Sequence, residues 1–172
     1  IPGYLQETQG FTVFKTADWF IAINIASAIG YFLFGFIADK IGRRPTFTIF
    51  FILAAVAAPL FAFSDFQEGN LLLIGILLGF SMGYFSGFPA YGSELFPTHI
   101  RASGLGIAYT GFARIVATVG PFFVGLAADS FGIGPAIGVM GGLFIPAIIV
   151  LWWLGGETKG KTVQELDKGI GA

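Results

Sequence analysis

The sequence predicts an all-α membrane protein with five transmembrane helices. Three observations carry that expectation: a composition too apolar for an ordinary soluble domain, five apolar stretches of spanning length, and basic residues gathered on alternate connections. Of 172 residues, 55% are hydrophobic and 11% charged, whereas soluble domains carry roughly a quarter charged residues. Cysteine is absent and His99 is the single histidine. Disulfides and thiolate metal sites are therefore excluded, and a His-based metal cluster or serine–histidine triad nearly so. No nucleophile–base pair stands in the chain, so the expectation is a non-enzymatic protein without metal. The net charge of −1 hides a strong spatial ordering and says little about partners; nucleic acid is not expected among them.

The apolar stretches cover residues 19–38, 47–63, 71–91, 104–128 and 133–154. Each can cross roughly 30 Å of hydrocarbon at about 1.5 Å per residue. The second is short, and its Pro59 kinks a helix unless neighbours satisfy the freed carbonyl. The fourth is long, with a bend expected at Gly120-Pro121. Lys40, Arg43 and Arg44 fall between the first two spans, Arg101 between the third and fourth, and Lys159, Lys161 and Lys168 after the fifth. The opposite side has Lys15 against Glu7, Asp65, Glu68 and Asp129. The positive-inside rule puts the basic side in the cytoplasm, with the C-terminus inside and the cytoplasmic (plasma) membrane as location. Trp19, Tyr91, Trp152 and Trp153 fall near the expected interfaces. A chain opening at Ile1-Pro2-Gly3, with an odd number of spans entering from outside, is expected to be a fragment of a longer protein.

Gly75, Gly79, Gly83 and Gly87 recur every four residues along the third span. At helical pitch they form one bare, slowly winding ridge that lets another backbone approach closely. Such a ridge serves either a sliding contact or tight static packing, and the spacing leaves both open. Gly138 and Gly142 repeat the spacing once. Ser81 and Tyr84, with Phe85 and Phe88, lie off that ridge, where they either line a substrate path or face another helix.

Arg114 is the most informative single residue. It stands about 15 Å beyond the cytoplasmic boundary of the fourth span, near the midplane. A guanidinium there costs several kcal/mol unless it meets water, a counter-ion or a ligand. Thr110 and Thr118, four residues to either side, make a polar stripe with it. Its candidate roles are to hold an anionic substrate group, a carboxylate above all, through paired hydrogen bonds, or to pair with an acid elsewhere in the protein. Asn24 and Ser27 are further mid-span polar candidates, and Asp18 reads as a cap at the outer end of the first helix.

Three loop motifs add a family resemblance. Gly35-Phe36-Ile37-Ala38-Asp39-Lys40-Ile41-Gly42-Arg43-Arg44 joins two spans as G-x-x-x-D-K-x-G-R-R. It resembles the signature loop of the major facilitator superfamily. Glu94-Leu95-Phe96-Pro97-Thr98-His99-Ile100-Arg101 is similar to the E-x-x-P-x-x-x-R loop of sugar porters and metabolite–proton symporters. Glu157-Thr158-Lys159-Gly160 resembles the tail of the sugar-porter group, although Ser93 and Gly156 stand where that pattern has Pro.

The resemblance implies helices eight to twelve of a twelve-helix fold, with an N-terminal domain and a seventh helix as partners beside the lipid bilayer and a small-molecule substrate. It implies secondary transport by alternating access: proton-coupled symport of a small organic anion or sugar-like metabolite, with a coupling proton in place of a cofactor. A facilitative uniporter and a non-transporting membrane sensor or structural subunit remain alternatives. By position it also implies a cytoplasmic gate of Asp39, Arg43, Arg44, Glu94 and Arg101. Within it Arg43 or Arg44 is expected to pair with Glu94, and Asp39 with Arg101 or a helix terminus.

Overall fold

A computed structural model describes residues 12–63 and 68–159. Glu7, Asp65, Lys161 and Lys168, on which the orientation partly leans, lie outside them, as does Gly160. The described chain is helical almost throughout: α1 (Val13–Ile41), α2 (Arg43–Phe63), α3 (Glu68–Ser81), α4 (Tyr84–Leu95), α5 (Arg101–Leu105), a π-helical turn (Gly106–Phe112), α6 (Ala113–Phe131), α7 (Ile133–Gly142) and α8 (Phe144–Leu154). These make five rods long and apolar enough to cross a membrane: α1, α2, α3–α4, α5–α6 and α7–α8.

Each end and break has a local cause. The Thr12 hydroxyl caps α1 by accepting from the Lys15 N–H at 3.4 Å. Asp18, expected as the cap, instead lies inside that helix. At the α3–α4 break, the Ser81 hydroxyl donates to the Leu78 carbonyl at 2.6 Å. The Met82 N–H, which would reach Leu78 in a regular helix, bonds to Gly79 instead at 3.0 Å. The turn therefore tightens to i→i−3 bonding through Gly83. The last rod breaks at Leu143 because Pro146 has no N–H for the Gly142 carbonyl, and its ring crowds that oxygen.

The second rod is the hub. α2 packs against α1, against α3 and α4, and against α7 and α8, while α6 packs mainly on α7. Its inner face carries Phe47, Phe50, Phe51, Ala54, Ala57, Ala58 and Phe61, all buried. Phe47 and Phe50 meet Phe34 of α1 edge-on at 4.8 and 5.1 Å between ring centres. Phe51 meets Tyr84 at 5.1 Å and Phe144 at 5.6 Å. Such pairs contribute about 0.5–1.5 kcal/mol each beyond their burial. Toward the other end, Trp19, Phe61, Leu71 and Leu78 close a second cluster.

The glycine ridge of α3–α4 lies against α1 and α2. A Cβ on Gly79 would stand 2.4 Å from the Ile23 carbonyl oxygen, and one on Gly83 2.4 Å from that of Gly30. Gly75 lies on Ile23, and Gly87 on Phe34 and Phe47. In the last rod the contacts differ from the expected pair. Gly134, Gly138 and Gly141 lie against Ala62, Phe63 and Pro59, whereas Gly142 has open space.

Candidate gate and substrate site

The basic end of the bundle is built from three helix ends and the tail after α8. The first four N–H groups of any α-helix lack partners within it. In α2 these fall at Arg43, Arg44, Pro45 and Thr46, and Pro45 has no N–H to satisfy. Glu157 takes the first two: its Oε1 accepts from Arg43 N at 3.0 Å and its Oε2 from Arg44 N at 3.2 Å. The same Oε1 accepts the N–H groups of Thr158 and Lys159, each at 3.1 Å. Burial pushes the Glu157 carboxyl up, but these four backbone N–H groups outweigh it and hold the group below the ordinary carboxylate value.

Gly42 makes that approach possible. It turns the chain between α1 and α2 at φ 109°, ψ 163°, a region open essentially only to glycine. A Cβ there would lie 2.8 Å from Glu157 Oε2.

The tail also closes the helix C-termini, where carbonyls lack partners and positive charge is favoured. The Lys159 ammonium donates to the Lys40 carbonyl at the end of α1. Arg44 Nη2 donates to the Trp152 carbonyl at 3.3 Å, and its guanidinium lies 5.6 Å from the Trp152 ring centre. Trp152 is held by its indole N–H on Thr48 Oγ1 at 2.9 Å. The Tyr91 hydroxyl donates to the Gly156 carbonyl at 2.7 Å, which fixes the start of the tail.

Arg43 joins this clasp to the α4 end. Its Nη2 lies 3.0 Å from Glu94 Oε1, and its Nη1 2.6 Å from Asp39. The Thr158 hydroxyl donates to the other Glu94 oxygen. Asp39 therefore pairs with Arg43, one helical turn on, and not with Arg101 or a helix terminus. The tight corner at Gly42 is what brings Arg43 back over Asp39. Arg101 Nε instead donates to the Phe96 carbonyl at 3.3 Å. Of the two candidate arginines, Arg43 meets Glu94, whereas Arg44 stacks on Trp152. Asp39 is 72% exposed, so its pair is worth about 0–1 kcal/mol. Glu94 and Arg43 are 24% and 20% exposed, which makes theirs the stronger link.

Glu157, Thr158, Tyr91, Thr48 and Trp152 were not among the expected gate residues. The signal was present in Glu157-Thr158-Lys159-Gly160, but the motif alone does not say which helix end it covers.

The mid-span candidates divide into two groups. Ser81 is fully buried with its hydroxyl on Leu78, and Tyr84 is buried beneath Phe51, Phe85 and Phe144. Both belong to the packed interior of the described residues. Arg114, Thr110, Thr118 and Asn24 are exposed. Thr118 donates to the Arg114 carbonyl at 2.9 Å, and Asn24 Nδ2 to the Phe20 carbonyl at 2.7 Å. The π-helical turn Gly106–Phe112 ends just before Ala113-Arg114. Its wider, i→i+5 winding still leaves Thr110 and Arg114 on one side of the rod. His99 is exposed beside the α4–α5 turn. Among the described residues no cluster of His, Asp or Glu has the makings of a metal site.

A polytopic membrane bundle whose helix ends are joined by ion pairs and whose tail is clasped by hydrogen bonds at one end is the class of protein these features define. Over residues 1–170 the chain matches the Major Facilitator Superfamily, and it belongs to that superfamily. It is 33% identical over 87% of its length to a cis,cis-muconate transport protein of Acinetobacter baylyi, and 30% identical over 88% to a putative niacin/nicotinamide transporter of Bacillus subtilis. It spans 37% and 38% of those proteins' lengths. A high glucose sensor of Saccharomyces cerevisiae is 27% identical over 86% of the chain, which covers 21% of that protein.

Proposed function

We propose that this chain forms helices eight to twelve of a secondary transporter that carries a small organic anion by alternating access, coupled to protons. The single observation that carries the substrate class is Arg114: an exposed guanidinium on a membrane-spanning rod, flanked by Thr110 and Thr118. Hydrocarbon does not tolerate such a group without water, a counter-ion or a ligand, and transporters bind their substrates in a wet cavity near the midplane. Of the compounds named for two relatives, cis,cis-muconate and niacin are carboxylates at neutral pH, which supports the same reading, whereas nicotinamide is uncharged. The gate role belongs to Arg43, Glu94, Glu157 and Thr158, with Asp39 at its rim. On this reading the basic end faces the cytoplasm, the membrane is the plasma membrane, and the upstream half completes the cavity. The coupling proton is carried upstream or by the substrate, because Asp18, Asp39, Glu94, Asp129 and Glu157 all lie toward rod ends.

The test is uptake of a labelled carboxylate by the full-length carrier and by Arg114→Gln. Loss of the charge-assisted bonds should weaken apparent affinity by about 10- to 100-fold. Unaltered affinity in Arg114→Gln would refute the assignment. A second reading, a membrane sensor without transport, draws on the glucose-sensor relative. It predicts ligand binding by the wild type with no uptake.

A further inference from the structure

From Asn24 to Phe36 the exposed surface of α1 is divided lengthwise, with exposed Phe20 continuing the polar flank toward the Thr12 end. Asn24, Ser27 and Tyr31, spaced three and four residues apart, share one flank of the helix. On the other flank Ile25, Ile29, Phe32 and Phe36 are 57%, 52%, 79% and 54% exposed, all of them apolar. That second flank suits lipid. The polar flank borders α4: Ser86 Oγ donates to the Tyr31 carbonyl at 3.1 Å and to the Gly83 carbonyl at 2.8 Å, beside the break in the third rod.

Depth matches as well. From Ile41 back to Tyr31 is roughly 15 Å of helix and to Asn24 roughly 25 Å; Ser86 lies roughly 14 Å from Leu95, and Arg114 roughly 15 Å from Gly104. Tyr31 and Ser86 thus lie at about the depth of Arg114, and Ser27 and Asn24 continue the strip roughly 6–10 Å further from the basic end.

The hydrogen bonds show what this strip has left to offer. Ser27 donates to the Ile23 carbonyl at 3.0 Å, Ser86 donates as above, and Asn24 has one amide hydrogen on Phe20. Ser27 and Asn24 are bonded within their own helix, whereas the single Ser86 proton is shared between the Gly83 carbonyl and the Tyr31 carbonyl of α1. What remains outward is mixed: two hydroxyl oxygens and the Asn24 carbonyl oxygen as acceptors, the second Asn24 N–H as a donor, and the Tyr31 phenol as either.

We propose that Asn24, Ser27, Tyr31 and Ser86 form a second wall of the substrate site, which hydrogen-bonds a polar group, such as a hydroxyl, at the end of the ligand away from its carboxylate. The ligand class is an organic acid bearing a hydroxyl, an amide N–H or a second, protonated carboxyl group. The inference rests on Arg114 as the carboxylate partner, and two measurements separate its failure from the failure of that reading.

The first is thiol labelling of the full-length carrier in membranes, with any upstream cysteines replaced. Asn24→Cys and Tyr31→Cys should react with the charged reagent 2-sulfonatoethyl methanethiosulfonate, while Ile25→Cys and Phe32→Cys should not. This outcome does not depend on Arg114. Equal reactivity on both flanks, or none on either, overturns the wall, the latter pointing to a covering helix.

The second is thermal-shift titration of the solubilised carrier with hexanoate and 6-hydroxyhexanoate. These probes share a carboxylate and differ in the distal hydroxyl. The hydroxy acid should act at a concentration about fivefold lower. That preference should disappear in Ser27→Ala/Asn24→Leu, and Arg114→Gln should weaken both acids alike. Equal titration of the two acids by the wild type, or a shift from neither, overturns the ligand class. A preference that survives in the double variant removes the assigned residues.

Discussion

Replacing Gly42 with alanine should destabilise the protein through both its backbone and the clasp it carries. The backbone at Gly42, φ 109° and ψ 163°, is one an L-residue adopts only at a cost of about 1–3 kcal/mol. The added Cβ would also stand 2.8 Å from Glu157 Oε2 and 3.0 Å from the carboxyl carbon, so the carboxylate has to withdraw from the α2 N-terminus. Loss of a helix N-cap costs a further ~0.5–2 kcal/mol. Together the two effects come to about 1.5–5 kcal/mol, more than a typical point substitution. The assay is SDS-induced unfolding of the full-length carrier in micelles, with Gly156→Ala as reference. Gly156 lies in the same tail and has no atom within 4 Å of a built Cβ, so its substitution should stay within about 0.5 kcal/mol of wild type. If Gly42→Ala unfolds within about 0.5 kcal/mol of that reference, the reasoning from backbone strain and displaced cap is wrong.

Three further expectations follow from the same geometry. On the proposed alternating-access reading, Glu94→Gln removes the charge partner of Arg43 and should shift the inward–outward distance distribution read by spin labels on the full-length protein; an unchanged distribution would remove Glu94 from the proposed gate. The Glu157 carboxyl is lowered in the folded state, so its contribution is complete above the ordinary carboxylate range and disappears as pH falls through the lowered value. Glu157→Gln should therefore flatten the acid limb of the stability–pH profile and leave its neutral region level, and an acid limb of unaltered slope would count against the cap. Gly83→Val drives side-chain atoms into the Gly30 carbonyl and the Phe50 ring, where even a Cβ would stand at 2.4 Å from each. It should lower stability by about 1–3 kcal/mol or more, against little change for Gly142→Ala, which meets nothing within 4 Å; equal effects of the two would show that the ridge is loosely packed.

The residues alone made the membrane-spanning class, the number of rods and the close-packing ridge legible, because each is a local property. Apolar length sets a span, and glycine at every fourth position sets a bare helix face whatever lies opposite. The breaks inside the third and fifth rods were less visible. One arises from Ser81 capturing the carbonyl that Met82 would use, the other from Pro146 acting four residues upstream of itself.

At the basic end, the motifs identified the charged participants but not their pairing. Which arginine faces Glu94, and that Glu157 caps α2, depends on the rotation of α2 against α4 and on where the chain re-emerges after α8. The Arg43–Glu94 and Arg43–Glu157 contacts join residues 51 and 114 positions apart. No local spacing encodes such contacts, so side-chain packing across the hub helix decided them. The same holds for Ser81 and Tyr84: their polarity suggested a path, and only the fit of α3–α4 against its neighbours turned them inward. Composition and periodicity thus determined which segments cross the membrane and which end is basic. The tertiary structure decided which charges meet, because ion pairs and caps are set by the relative rotation of whole helices, which many distant apolar contacts fix together.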